Sequence, residues 1–278
     1  MSITAAVATT RPGQGSTTFG LALAWDAAES EKVCYVDLDP AGGTVEDQLG
    51  LNLGAGADQL GVRRFSGLPQ VTHGMIEEAA VRVPRRENLF IVPGLRGDSG
   101  LALHDFLPRF NEDAGGGYQL YQRLTSSFEK TRFDLVVVDL GCPFVFPGLD
   151  SPQRAAATIA SLFGRFFIVI RDNPALIGHN VEVLRKAQVN RGEVVVACRP
   201  SGARDARATV ARALADINIQ VAAIEWLWRD DIALRAESQG RAMPAPGLAR
   251  SLGLVQRQAA PIAGTVQPGE TQGGAVDG

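Results

Sequence analysis

Seven short apolar runs, spaced by stretches long enough for helices, restrict this chain more than any other feature. They are ITAAVAT (3–9), KVCYVDL (32–38), NLFIVPG (88–94), FDLVVVDLG (133–141), RFFIVIR (165–171), EVVVACR (193–199) and QVAAIEW (220–226). They are rich in Val, Ile and Phe and lack polar alternation, so they read as strands buried on both faces, as in the middle of a parallel sheet. The segments 16–29, 117–131, 151–162, 176–190 and 204–216 have the length of crossover helices. Strand–helix alternation with right-handed crossovers predicts an α/β fold: a doubly wound, mostly parallel sheet with helices on both faces. Residues 54–86 and 95–116, rich in Gly, Arg and Asp, read as irregular surface excursions. The expected folded unit is a single domain over 1–258. The final stretch, 259–278, has almost no bulky apolar residue from Gly264 onward and reads as a disordered tail.

Ligands on such a sheet bind at the carboxyl ends of its strands, and three of those ends carry a chemical signal. The first run leads into RPGQGSTT (11–18) and then a helical segment. A strand, a glycine loop and a helix N-terminus together direct backbone N–H groups and the positive end of the helix dipole at an anion. Gly13 and Gly15 supply the backbone freedom such a loop needs, and Thr17 stands where a hydroxyl holds magnesium. The second run ends in YVDLDPAGGT (35–44), whose Asp37 and Asp39 form a carboxylate pair able to organise magnesium and orient a water. The third signal is Asp139, which closes the apolar strand FDLVVVDLG in the manner of the acid that supports a phosphate-bound metal.

These motifs, in this order, resemble the ParA/MinD group of deviant Walker A ATPases, which are P-loop NTPases. Their loop reads K-G-G-x-G-K-[ST]-[ST], against R11-P12-G13-Q14-G15-S16-T17-T18 here. Their D-x-D-P-x-G-x-T is close to the span from Asp37 to Thr44, and their strand ending D-x-x-P matches Asp139 to Pro143. The stretch RDNPALIGHNVEVLRKA (171–187) and the ending AESQGRAMPAPGLARSLGLV resemble later family patterns, so the likeness spans about 1–258. The resemblance implies ATP and Mg2+ as ligands. It places Arg11, Gly13, Gln14, Gly15, Ser16, Thr17 and Thr18 around the phosphates. Cys198 and Arg199 fall near the base, where the family has Asn. Thr17, Asp37 and Asp139 would hold the metal, and Asp39 would act on the attacking water. Arg11, in the place of a lysine that crosses to a partner subunit, implies a homodimer through the loop face.

The departures are concentrated in the loop. Ser16 replaces the lysine that reaches the β- and γ-phosphates, and Pro12 replaces a glycine and removes an N–H donor. Removing one such contact from a dry site costs about 10²–10³ in rate. The expectation is weak nucleotide binding with little or no hydrolysis. This resembles the TadZ/CpaE-like branch, whose members position pilus, secretion or division machinery at a pole, septum or inner membrane face.

Other readings stay open at this level. Gly13-x-Gly15 followed by Asp37 satisfies part of a dinucleotide-binding fingerprint, though Thr18 stands in place of the third glycine. Arg199, Arg204, Arg207 and Arg212 surround one helix and fit non-specific DNA binding, as in an active partition ATPase. Of 27 basic residues, however, only Lys32, Lys130 and Lys186 are lysines, so 24 are arginines and an isolated arginine carries little weight. The net charge of −3 argues against a polycation. Leu248, Leu252 and Val255 lie at helical spacing but lack the basic partners of a membrane-binding helix, and are expected to dock on the protein itself. Trp226 and Trp228 alternate near a strand end, as core or an interaction patch. His73, His104 and His179 have no metal-ligand spacing. Three widely spaced cysteines, Cys34, Cys142 and Cys198, read as reduced thiols of a cytoplasmic protein. No run reaches the roughly 18 apolar residues of a membrane span.

Overall fold

The computed structural model describes residues 2–39, 45–51, 70–94, 116–143, 160–171, 173–186, 193–198, 203–215, 220–227 and 230–255. The elements run β1 (Ile3–Thr9), α1 (Ser16–Ala27), β2 (Val33–Asp37), α2 (Val45–Gln48), α3 (His73–Ala79), β3 (Val81–Arg82), β4 (Leu89–Val92) and α4 (Gly116–Phe128). They continue with β5 (Leu135–Asp139), β6 (Arg165–Arg171), α5 (Pro174–Lys186), β7 (Glu193–Cys198), α6 (Ala203–Leu214), β8 (Gln220–Leu227), α7 (Asp230–Ser238) and α8 (Leu248–Ser251). All seven apolar runs are strands. They join one sheet in the order β3-β4-β2-β5-β1-β6-β7-β8. Every pairing is parallel except that of the two-residue edge strand β3, which runs antiparallel to β4.

The sheet is buried on both faces, which explains the unbroken apolar runs. One layer packs α3, α4, α5 and α6 against alternate strand residues such as Val136, Val138, Ile168 and Ile170. The other packs α1, α2 and the 242–255 segment against Val7, Tyr35, Val137 and Phe167. Phe19 of α1 meets Phe167 of β6 edge-to-face at 6.1 Å between ring centroids. Leu248, Leu252 and Val255 are buried in this second layer, as expected. The Asp26 carboxylate of α1 accepts the Gly247 and Ala249 N–H groups at 2.7 and 2.8 Å, capping α8 and fixing it to α1.

The 54–86 segment departs from its irregular reading, since it holds α3 and β3. The Thr72 hydroxyl accepts the Met75 N–H and starts α3, while β3 borrows its ladder from β4, a partner that local sequence does not announce. Of the expected 151–162 helix only the end, from Ala160, is described. His104, Trp228 and the tail 259–278 lie outside the described residues, as does the side chain of Trp226.

Strand order bears directly on the readings left open. A dinucleotide-binding sheet sets its second strand beside its first. Here β5 lies between β1 and β2. Asp139 is thereby the register partner of both Val7 and Asp37, and two strand-ending acids stand side by side next to the glycine loop.

Candidate functional site

The β1–α1 loop is built around two left-handed glycines, Gly13 at φ 77° and Gly15 at φ 97°. Gly15 is the N-cap of α1. With no side chain to offer there, the first-turn N–H groups remain available to a ligand. A cleft of about 280 Å3 opens in front of them, lined by Pro12, Gly13, Gly15, Ser16, Thr17 and Thr18 of the loop. Thr9, Asp39, Gly141, Cys142 and Arg171 complete the lining. This is the carboxyl edge of the sheet, where the motifs were expected to meet.

Asp139 lies fully buried beneath the cleft and is surrounded by donors. The Gly141 N–H and the Tyr35 hydroxyl each donate to it at 2.9 Å. The Thr17 and Ser16 side chains stand near enough to favour its charged form. Burial outweighs the opposing pull of Thr17, the Gly141 N–H, Tyr35 and Ser16 and leaves the Asp139 pKa raised. Asp37 is equally buried but poorly served. Its Oδ1 accepts the Asp39 N–H at 3.0 Å, and its Oδ2 has no hydrogen-bond partner among the described residues. Burial, then the neighbouring Asp139, holds the Asp37 carboxyl well above the usual carboxylate range. Of the two adjacent acids, Asp139 is the better served by donors and Asp37 is pushed up further, so a shared proton favours Asp37. Burial, then Asp139, likewise raises Tyr35, which remains a neutral phenol donor.

Glycines make room for these acids. A Cβ at Gly94 would stand 2.6 Å from the Asp37 Cγ, and one at Gly141 would overlap the Asp39 carboxylate. At Gly20 a Cβ would press on Tyr35 at 3.2 Å, so this glycine lets α1 lie close over the phenol that reaches Asp139.

Gln14 turns away from the cleft. Its Oε1 accepts the Arg171 N–H at 2.8 Å, and its Nε2 donates to Asn180 Oδ1 at 3.1 Å. The Thr10 hydroxyl donates to the same Asn180 oxygen at 2.9 Å. Thr10, Gln14 and Asn180 are all buried, so the loop is tied to the end of β6 and to α5 by a dry polar network.

Of the sequence-predicted site residues, Gly13, Gly15, Ser16, Thr17, Thr18 and Asp39 line the cleft, while Asp37 and Asp139 lie beneath it. Arg11 is exposed on the loop, outside the lining. The Cys198 side chain and Arg199 fall outside the described residues. Sequence reasoning missed Tyr35, Gly141, Cys142 and Arg171. Arg171 carried a usable signal, since it ends an apolar strand just as Asp37 and Asp139 do. Among the described residues, no three His, Cys, Asp or Glu side chains form a self-contained metal centre. A divalent ion here would need phosphate oxygens and waters in addition to Thr17, Asp37 and Asp139, which is the habit of magnesium.

No protein-family model matches the sequence, and no curated protein matches it either. Solved structures do match by fold. Apo McdA from Cyanothece is 16% identical at a TM-score of 0.62, covering 87% of this chain and 92% of its own. The septum site-determining protein MinD from Pyrococcus horikoshii, complexed with Mg-ADP, is 15% identical at 0.60, covering 91% and 94%. A ParA family ATPase from Chlorobium tepidum is 11% identical at 0.64, covering 91% and 97%. The chain therefore has the P-loop fold of ParA/MinD-type ATPases over nearly its whole length.

Proposed function

We propose that this chain is a ParA/MinD-like nucleotide switch that binds ATP with magnesium, turns it over slowly or not at all, and serves as a positioning scaffold. The observation that carries this reading is the gathering of Gly13, Gly15, Ser16, Thr17 and Asp39 around one anion cleft, with Asp139 and Asp37 buried as register partners beneath it. The residues fit the ligands. The cleft is at the small end for a ligand site and suits a triphosphate tail better than a whole nucleotide. The buried Asp37 Oδ2, which has no hydrogen-bond partner among the described residues, is an available metal ligand.

Magnesium, when bound, would neutralise charge on the phosphates. Gly13 and Gly15 shape the loop so that its N–H groups surround phosphate oxygens, and Thr17 and Asp139 hold the metal side. Asp37 would join them as a ligand in its ionised form. Asp39, in the cleft wall over Gly141, is placed to orient a water. Ser16 brings no positive charge, so charge developing on a transferred phosphoryl group meets no lysine. Binding without appreciable turnover follows.

Arg11 is exposed on the loop and off the cleft wall, a position suited to reaching a partner subunit. We therefore read the loop face as a homodimer surface. The scaffold role, nearest a TadZ/CpaE-like branch, assigns the dimer a protein partner in a pilus, secretion or division system. That partner would bring it to a pole, septum or inner membrane face. Among the described residues no helix is long and apolar enough to cross a membrane. The test is fluorescent ATP titrated with and without magnesium, alongside phosphate release. Magnesium-dependent binding with little phosphate release is expected. Absence of binding overturns the nucleotide reading, and turnover at the pace of ordinary ATPases overturns the scaffold reading.

A further inference from the structure

We infer that Arg171, at the end of β6, supplies the phosphate-binding charge that position 16 lacks. This inference rests on the nucleotide reading of the same cleft and names the residue that grips the anion. Four observations converge on it. Arg171 lines the cleft together with Gly13, Gly15, Ser16 and Thr17, and among the described lining residues it is the one basic side chain. Arg11, the residue the loop motif nominates, is exposed and outside the lining. Ser16 is buried and carries no charge, so the loop position where a lysine would stand supplies no cation to the cleft.

The fourth observation concerns position. Val169 is the register partner of Thr9, so Arg171, two residues on, stands level with the start of the loop. The Arg171 N–H donates to Gln14 Oε1 at 2.8 Å, and Gln14 is locked to Asn180. The loop and the strand end therefore hold one fixed spacing. A guanidinium on that strand end faces the same anion as the helix N-terminus, with a planar fork of donors suited to phosphate oxygens. The cation has moved from the helix to the neighbouring strand, and the anion lies between them. Such a fixed charge favours bound phosphate in the ground state. It does not restore the lysine at the head of α1, and low turnover remains the expectation.

The test uses the full chain with two probes, fluorescent ATP and inorganic tripolyphosphate, the second reporting phosphate grip without a base. Arg171→Ala is expected to weaken both about tenfold or more, the loss typical of a charged hydrogen bond. Arg171→Lys should retain part of the affinity. Ser16→Lys/Arg171→Ala should recover binding relative to Arg171→Ala alone, because the charge returns to the helix. The bond to Gln14 uses the backbone N–H, which alanine keeps, so an unchanged thermal midpoint in Arg171→Ala separates a lost contact from a lost fold. If the unaltered chain binds both probes and Arg171→Ala binds them within twofold, the inference is overturned while the nucleotide reading stands. If tripolyphosphate binds in an Arg171-dependent way and ATP does not, the nucleotide reading falls and the anion role of Arg171 survives. If neither probe binds, both fall.

Discussion

The acid side of the cleft and its anion side differ in how their polar groups are satisfied. On the acid side, β2 and β5 deliver Asp37 and Asp139 as register partners, and Asp139 is held by donors from β2 and the turn after β5. On the anion side, the loop shows bare backbone N–H groups, one proline and no lysine, and its structural support comes from the Gln14–Asn180 network underneath. The acid side would stand in the absence of ligand, while the anion side is a shape waiting for charge. A site can therefore lose the residue that drives turnover and still keep its architecture, because different residues maintain the two halves.

The largest expected effect tests the acid side. Asp139→Ala leaves the Tyr35 hydroxyl and the Gly141 N–H without their acceptor. Breaking a buried charged network of this kind costs about 3–5 kcal/mol. Urea unfolding measures it, and a loss below about 1 kcal/mol would show that Asp139 does not organise this region.

Asp37→Asn should act in the opposite direction. The Asp37 pKa is raised in the folded chain, so between the ordinary carboxylate range and that raised value the native state binds more protons than the unfolded one. Stability from this group is complete below the ordinary range and falls as pH rises through the window. Asparagine removes that fall. With EDTA present, the variant should exceed the unaltered chain in stability near neutral pH, and by less at pH 4. Equal slopes in thermal melts across that range would refute the proton assignment. The same variant should lose any tightening of ATP binding by magnesium.

The anion side is probed by Gln14→Ala, which deletes the bonds to Arg171 N and to Asn180. A cost of about 1–1.5 kcal/mol is expected, together with weaker tripolyphosphate binding as the loop and β6 lose their fixed spacing. Weaker binding with no change in stability would mean that Gln14 meets the ligand directly.

Much of this comparison was legible in the sequence, and what was not has identifiable causes. The strands could be read because burial on both faces leaves unbroken Val, Ile and Phe. Asp37 and Asp139 could be read because each closes such a run. The link from Tyr35 to Asp139 could not, because it depends on β5 inserting between β1 and β2, and strand order is not a local property. Gln14 reads as a loop residue facing a ligand until Asn180, a residue of distant α5, is seen beneath it. Arg171 was hidden by composition, since 24 of 27 basic residues are arginine and one more at a strand end attracts no notice. The helix α3 was overlooked inside a Gly- and Arg-rich stretch whose Thr72 cap is a weak signal by itself.

The smallest predicted effect decides to which half Ser16 belongs. By position it is a phosphate-loop residue, first in α1 and on the cleft wall. By burial it belongs with Asp139, whose charged form it favours. Ser16→Ala removes that hydroxyl and leaves the Tyr35 and Gly141 donors in place, so the stability loss should be only about 0.5–1 kcal/mol. Its backbone N–H, the group a phosphate would meet, is untouched. ATP and tripolyphosphate affinities should then stay within about twofold, a change under 0.5 kcal/mol. Denaturant unfolding and the two titrations read the outcomes separately. Stability that falls while affinity holds assigns Ser16 to the acid side and leaves the anion to the backbone and Arg171. A tenfold loss of affinity with unchanged stability would place the hydroxyl on the phosphate, and the division between the two halves would have to be redrawn through α1.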